Sequence, residues 1–226
     1  MASKPVPPPP APRLYLGTPK VDDPSSLVAS LPALLAAADI AAVLVRLADA
    51  DQRTLINRIK ELGPAIQNAG VALLINGHAD LVARSGADGA HLTGVADMED
   101  ALPTLKPERI CGVGGLPTRH DSMAAGEAGA DYVLFGEPDA HGQRPSVEAI
   151  SERLNWWAEL CEPPCVGYAA TLEEARAFAE AGAEFILVDD LIWSDPRGPA
   201  AALADAENAI REGHAAMAGN VKAEQE

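Results

Sequence analysis

Short apolar runs alternate with amphipathic stretches along this chain, and the alternation holds from end to end. A recurring junction returns an amphipathic stretch through Gly-Ala, or a near variant, into a brief apolar run. Three passages show it most clearly: Ser85-Gly86-Ala87-Asp88-Gly89-Ala90-His91-Leu92, Ala128-Gly129-Ala130-Asp131-Tyr132-Val133-Leu134-Phe135-Gly136, and Ala181-Gly182-Ala183-Glu184-Phe185-Ile186-Leu187-Val188-Asp189. Glycine just past a helix end tolerates the left-handed backbone that stops the helix. The runs that follow are apolar enough to be buried on both faces, as parallel strands are.

The pattern predicts strands at residues 14–18, 41–47, 71–76, 89–92, 109–113, 131–135, 165–168 and 184–188. Helices are expected from a cap at Ser25 or Ser26 to 38, from a cap at Asp51 to 68, and over 79–84, 98–105, 121–127 and 146–160. A capping box, Thr171-Leu172-Glu173-Glu174, opens a further helix to 180, and the last covers 199–216. Eight strands and eight helices thus alternate strictly. The first strand ends Gly17-Thr18-Pro19-Lys20, without the G-x-G-x-x-G of a dinucleotide-binding doubly wound sheet. The expectation is an α/β single-domain (β/α)8 TIM barrel, with its chemistry at the carboxyl ends of the strands.

Composition narrows the picture. The chain has 226 residues, 48% hydrophobic but only 4% aromatic, so Ala, Leu, Val and Ile must build the core. A net charge of −16 argues against nucleic acid or an anionic membrane as partner, since both need basic patches. No stretch has the length and apolarity of a membrane span, and the N-terminus lacks signal-peptide order. Cys111, Cys161 and Cys165 read as reduced thiols of a cytoplasmic protein, with a disulfide or metal at Cys161 and Cys165 the alternative. Residues 1–12 read as a disordered, proline-rich leader, 13–218 as the barrel and 219–226 as a frayed tail.

The strand ends carry a family resemblance. Leu74-Ile75-Asn76-Gly77-His78-Ala79-Asp80-Leu81-Val82, with Gly86-Ala87-Asp88-Gly89-Ala90-His91-Leu92, resembles the third and fourth strand segments of the thiamine-phosphate synthase / TenI family. Cys111-Gly112-Val113-Gly114 and Gly129-Ala130-Asp131-Tyr132-Val133-Leu134-Phe135-Gly136 are similar to its fifth and sixth. Leu14-Tyr15-Leu16 and the strand bearing Arg46 are similar to the first two. The resemblance implies joining of a pyrimidine diphosphate to a thiazole phosphate with release of pyrophosphate. It also implies Mg2+ held by aspartates. The alternatives are a TenI-like thiazole isomerase or other small-molecule enzyme, and a non-catalytic barrel that binds a ligand or partner.

Departures from the pattern bear on each role. Where the synthases have a metal-binding Asp after Asn76, this chain has Gly77, then His78. After His91 stands Thr93-Gly94-Val95-Ala96, with Asp97 one place late, so Asp97 is the remaining metal candidate. The loop after Gly136 is Glu137-Pro138-Asp139-Ala140-His141-Gly142-Gln143-Arg144, where Arg144 alone could replace the family's pyrophosphate-gripping lysine. Gly167-Tyr168-Ala169-Ala170 replaces a glycine pair after the seventh strand, and Asp189 and Asp190 stand where a thiazole phosphate would sit, repelling anions.

The substrate-binding candidates are therefore Arg46, Asn76, His78, His91, Gly114, Gly136, Arg144, Tyr168, Asp189 and Asp190. His91, His120 and His141 are the acid–base candidates, although His91 could equally be a satisfied core histidine. His214, on the last helix, reads as a surface residue. Of Trp156 and Trp157 at least one should be core and the other could lie at a homodimer contact. The expected partner is a small heterocyclic or phosphorylated substrate.

Overall fold

Eight parallel strands close into a barrel in chain order, with β8 returning beside β1. They are β1 (Arg13–Val21), β2 (Ile40–Leu47), β3 (Ala72–Asn76), β4 (Gly89–Thr93), β5 (Ile110–Gly114), β6 (Tyr132–Phe135), β7 (Cys165–Tyr168) and β8 (Phe185–Val188). The helices are α1 (Ser25–Ala37), α2 (Gln52–Gln67), α3 (Ala79–Ser85), α4 (Val95–Leu105), α5 (Arg119–Ala128), α6 (Val147–Leu160), α7 (Leu172–Glu180), α8 (Asp190–Trp193) and α9 (Pro199–Ala223). The structure is a computed structural model that describes residues 10–223; the remaining parts of the expected leader and tail lie outside the described residues.

Strand alternation divides the apolar residues between two cores. Leu14, Leu16, Val43, Val45, Leu73 and Ile75 face outward and pack with the helices. Tyr15, Leu44, Leu74, Tyr132, Leu134, Val166, Tyr168 and Leu187 pack together inside the barrel. Two residues beyond Tyr15, Leu44, Leu74 and Leu187, on the same inner face, come Gly17, Arg46, Asn76 and Asp189. The mouth is thus a direct consequence of strand register.

Local signals fall out differently in several places. α1 starts after Pro24, and neither serine caps it: Asp23 Oδ1 accepts the Ser25 backbone N–H and hydroxyl at 2.9 and 2.7 Å. Asp51 caps α2 as read, accepting from the N–H groups of Arg53 and Thr54. At α7 the Thr171 hydroxyl accepts the Glu174 N–H, but the Glu174 carboxylate accepts from Ala170 N–H and Arg144, so the box is not reciprocal. A complete box forms at Thr118 and Asp121 instead.

α8 has no counterpart in the sequence reading. It forms because Asp189 caps it and the Trp193 indole N–H donates to the Gly17 carbonyl at 2.7 Å. α9 continues to Ala223, past the expected end at 216 and into the expected tail, because its alanine-rich end favours helix and Gly219 costs it only about 1 kcal/mol. His214 is half-buried rather than on the surface, with Nδ1 enclosed and without a hydrogen-bond partner among the described residues. All three cysteines are free; Cys111 and Cys165 are buried, and burial pushes the Cys111 thiol up to about 11.

Candidate functional site

Arg46 and Asp189 meet across the first strand at the barrel mouth. Arg46 Nη1 donates to Asp189 Oδ2 at 2.6 Å, and the Tyr168 hydroxyl donates to Oδ1 at 3.0 Å. The Asp189 side chain is 5% exposed and that of Arg46 29%. Gly17 lies between their strands, where a Cβ would come 3.0 Å from the Asp189 Cβ and 3.5 Å from the guanidinium. Irregular register in β1 after Gly17 turns the Thr18 hydroxyl to accept the Arg46 backbone N–H at 3.1 Å. The Asp189 carboxylate, read from sequence as a repeller of anions, is therefore neutralised by a guanidinium. Asp190 is exposed on α8.

A second polar chain crosses the barrel interior. His91 Nδ1 lies 3.0 Å from the Tyr132 hydroxyl, which lies 2.9 Å from the Tyr15 hydroxyl. On its other side, His91 Nε2 faces the Glu137 oxygens at 3.4 and 3.5 Å. A carboxylate at Nε2 favours the tautomer with the proton there, so Nδ1 accepts from Tyr132 and Tyr132 accepts from Tyr15. Burial pushes the Tyr15 and Tyr132 phenols well above their usual range. His91 is thus both mouth-lining and satisfied in the core.

Two β5 glycines make this arrangement possible. A Cβ on Gly112 would collide with the Tyr132 ring, and one on Gly114 with Glu137 Oε2. Gly136 holds a φ of +97°, which favours glycine, and lets the chain turn off β6 toward Glu137.

Arg144 is heavily committed. Nε donates to the Gly136 carbonyl, Nη2 to the Tyr168 carbonyl, and the guanidinium forks onto Glu174 at 3.1 and 2.8 Å. It also lies over the Tyr168 ring, 4.8 Å from the centroid. These bonds hold the β6–α6 loop against α7. Under that loop opens a cavity of about 660 Å³, lined by Thr93, Leu116, Phe135, Glu137, Ile150 and Arg153 among others.

The other candidates lie apart from these chains. Asn76 pairs in register with His91 and is exposed at the end of β3. His78 adopts a left-handed φ of 47° ahead of α3, its side chain capping nothing. His120, in the first turn of α5, and His141, in the β6–α6 loop, are exposed and do not line the cavity. Sequence reasoning missed Tyr15, Tyr132 and Arg153. The two tyrosines carried a signal, since each sits on the inner face of its strand.

The donors do not fit a magnesium site. Asp189 is bound to Arg46, Glu137 faces His91, and Asp97 stands alone in the first turn of α4. Among the described residues no three His, Cys, Asp or Glu side chains group as metal ligands. Magnesium wants oxygen ligands in near-octahedral array.

With this geometry described, known proteins supply the context. Residues 14–192 match the family model described as thiamine monophosphate synthase. The chain belongs to that family. It is 41% identical over 203 residues to the thiamine-phosphate synthase of Rhodospirillum centenum, covering 88% of this chain and 98% of that one. It is 38% identical over 205 residues to that of Hyphomonas neptunium, covering 87% and 92%. The solved thiamine phosphate pyrophosphorylase of Pyrococcus furiosus shares the barrel, with a TM-score of 0.73 at 20% identity over 89% of this chain and 96% of that one. No described helix is long and apolar enough to cross a membrane.

Proposed function

We propose that this member of the thiamine monophosphate synthase family acts on small phosphorylated heterocycles and performs a thiamine-phosphate synthase-like transfer. In that reaction a pyrimidine methylene gains a bond to a thiazole nitrogen, and pyrophosphate leaves with the electrons of the broken C–O bond. The observation that carries the reading is the placement of Arg46, Asn76 and His91 on the ends of three consecutive strands, in a chain 41% identical to a thiamine-phosphate synthase. Arg46 is the residue suited to the leaving diphosphate, because a guanidinium forks onto phosphate oxygens. It must first leave Asp189. The His91 chain holds the barrel floor beneath the reacting ring in one hydrogen-bonded arrangement.

A second reading is an isomerase or ligand-binding barrel for a heterocycle without a diphosphate. The Arg46–Asp189 pair and the engaged Arg144 favour it, because they leave the mouth little free positive charge.

Incubation of the protein with the pyrimidine diphosphate and thiazole phosphate, with and without Mg2+, tests the two readings. Release of pyrophosphate with formation of thiamine phosphate, and growth of a thiamine-requiring strain lacking its own synthase, support the first. Absence of turnover by a folded protein that still binds a heterocycle supports the second.

A further inference from the structure

On the outside of the barrel, α5 and α6 carry the large apolar side chains that the fold leaves uncovered. Among the described residues, Met123 and Leu160 are the only exposed large hydrophobics, at 47% and 71%. Trp156 stands one helical turn before Leu160 on the same face of α6 and is half-buried, whereas Trp157 is core. Arg119 ties the two helices together. It donates to Glu152 at 2.9 Å and lies over the Trp156 ring, 4.9 Å from the centroid. Met123, Trp156 and Leu160 therefore share one face of two neighbouring helices. The charges beside them are placed against their own helix. Arg119 opens α5 and Glu127 lies in its last turn, so a cation sits at the positive end of the helix dipole and an anion at the negative end. Glu127 is exposed, and its carboxylate has no partner among the described residues.

We propose that this face pairs with a second copy of the chain about a two-fold axis that crosses α5 at Met123. Arg119 and Glu127 stand one turn before and one turn after Met123 on the same side of the helix. An antiparallel contact between two α5 helices thus sets Arg119 of one copy opposite Glu127 of the other, and the symmetry makes that pair twice. The same axis lays α6 along α6, so Trp156 and Leu160 of the two copies cover one another. Self-complementary charge is what selects a second copy as the occupant. A chain of net charge −16 meets its like favourably only where cations face acids, and this face supplies both. With 10 and 14 residues, α5 and α6 are about 15 and 21 Å long. A contact of that extent is small, so the dimer is weak, with a dissociation constant on the order of micromolar. The pairing is independent of the synthase reading.

Sedimentation velocity of the full chain over a range of about 1 to 200 µM tests it, since a micromolar dimer dissociates within that range. The wild type should pass from monomer to dimer as concentration rises. Met123→Asp and Leu160→Asp, each at an exposed site, should weaken the dimer by at least about tenfold with little change in melting temperature. Arg119→Glu and Glu127→Arg should each weaken it by a similar factor, because each sets like charges opposite one another. The double variant should return to within about threefold of wild type. That rescue reads the contact between copies, because within one copy Arg119→Glu is set against Glu152, which Glu127→Arg does not touch. A chain monomeric throughout the range would overturn the proposal. So would a dimer insensitive to Met123→Asp and Leu160→Asp, which would use another face, or a double charge swap that restores nothing.

Discussion

Arg46 and Asp189, separated by 143 positions in the chain, join at 2.6 Å across β1 at the barrel mouth. The pair places a carboxylate where an arriving phosphate would meet the guanidinium. At an effective dielectric near 20, opposite unit charges about 4 Å apart attract by roughly 4 kcal/mol, part of which desolvation cancels. A phosphate must compete with a partner already in place.

Freeing Arg46 should therefore strengthen anion binding. Asp189→Asn is expected to raise affinity for inorganic phosphate or thiazole phosphate by about tenfold, which corresponds to about 1.4 kcal/mol. Asp190→Asn should change it little, because Asp190 is exposed on α8. Arg46→Ala should abolish the gain and destabilise the fold by roughly 3 kcal/mol, since it leaves the Asp189 carboxylate buried without its cation. Titration calorimetry and denaturant melts read the two effects; equal phosphate affinity in wild type and Asp189→Asn would mean that Arg46 is not the anion site.

The two β5 glycines should differ in what they tolerate. Gly112→Ala drives a methyl group into the buried Tyr132 ring and should cost about 1–3 kcal/mol or more. Gly114→Ala meets the end of a flexible, partly exposed Glu137 and should cost less than about 1 kcal/mol. Thermal melts of both variants check the order.

Alkali should destabilise the protein through its tyrosines. Burial raises the folded-state pKa of Tyr15, Tyr132 and Tyr168 above the ordinary value of 10.0. Above that pH the unfolded chain releases phenolic protons that the folded chain keeps. The stability these groups contribute is complete below pH 10 and is lost as pH rises further, by up to about 1.4 kcal/mol per pH unit for each tyrosine. Denaturant melts between pH 8 and pH 11 should show the decline, and Tyr132→Phe should make it shallower.

Thiol labelling should separate the cysteines. Cys161 is half-buried, whereas Cys111 and Cys165 are buried. A disulfide-exchange reagent at pH 8 should modify one thiol of the native protein quickly and the other two only on unfolding. Fast reaction of two or three would show that the barrel opens around β5 or β7.

Much of the architecture was legible from the chain. Gly86 and Gly129 end helices in left-handed conformation, as their Gly-Ala contexts indicate, and the apolar runs behind them are strands. These signals are local: a helix stop or a strand period depends on residues within a few positions. Even so, the Thr171 box was half wrong, because Arg144 takes the Glu174 carboxylate from 30 positions away. The strand ends named the residue types of the mouth, and Arg46, Tyr168 and Asp189 were among them. Their charge state as a group was not readable.

Period, helix stops and composition determined the alternation of eight strands with helices and which residues end the strands, because neighbours in the chain set backbone conformation. Only barrel closure decided the rest. It set Tyr15 against Tyr132, 117 positions apart, and Glu137 against His91, 46 positions apart. Whether a charged side chain at a strand end is free or paired depends on strand register and on the side chain opposite, and that register exists only once β8 has paired with β1.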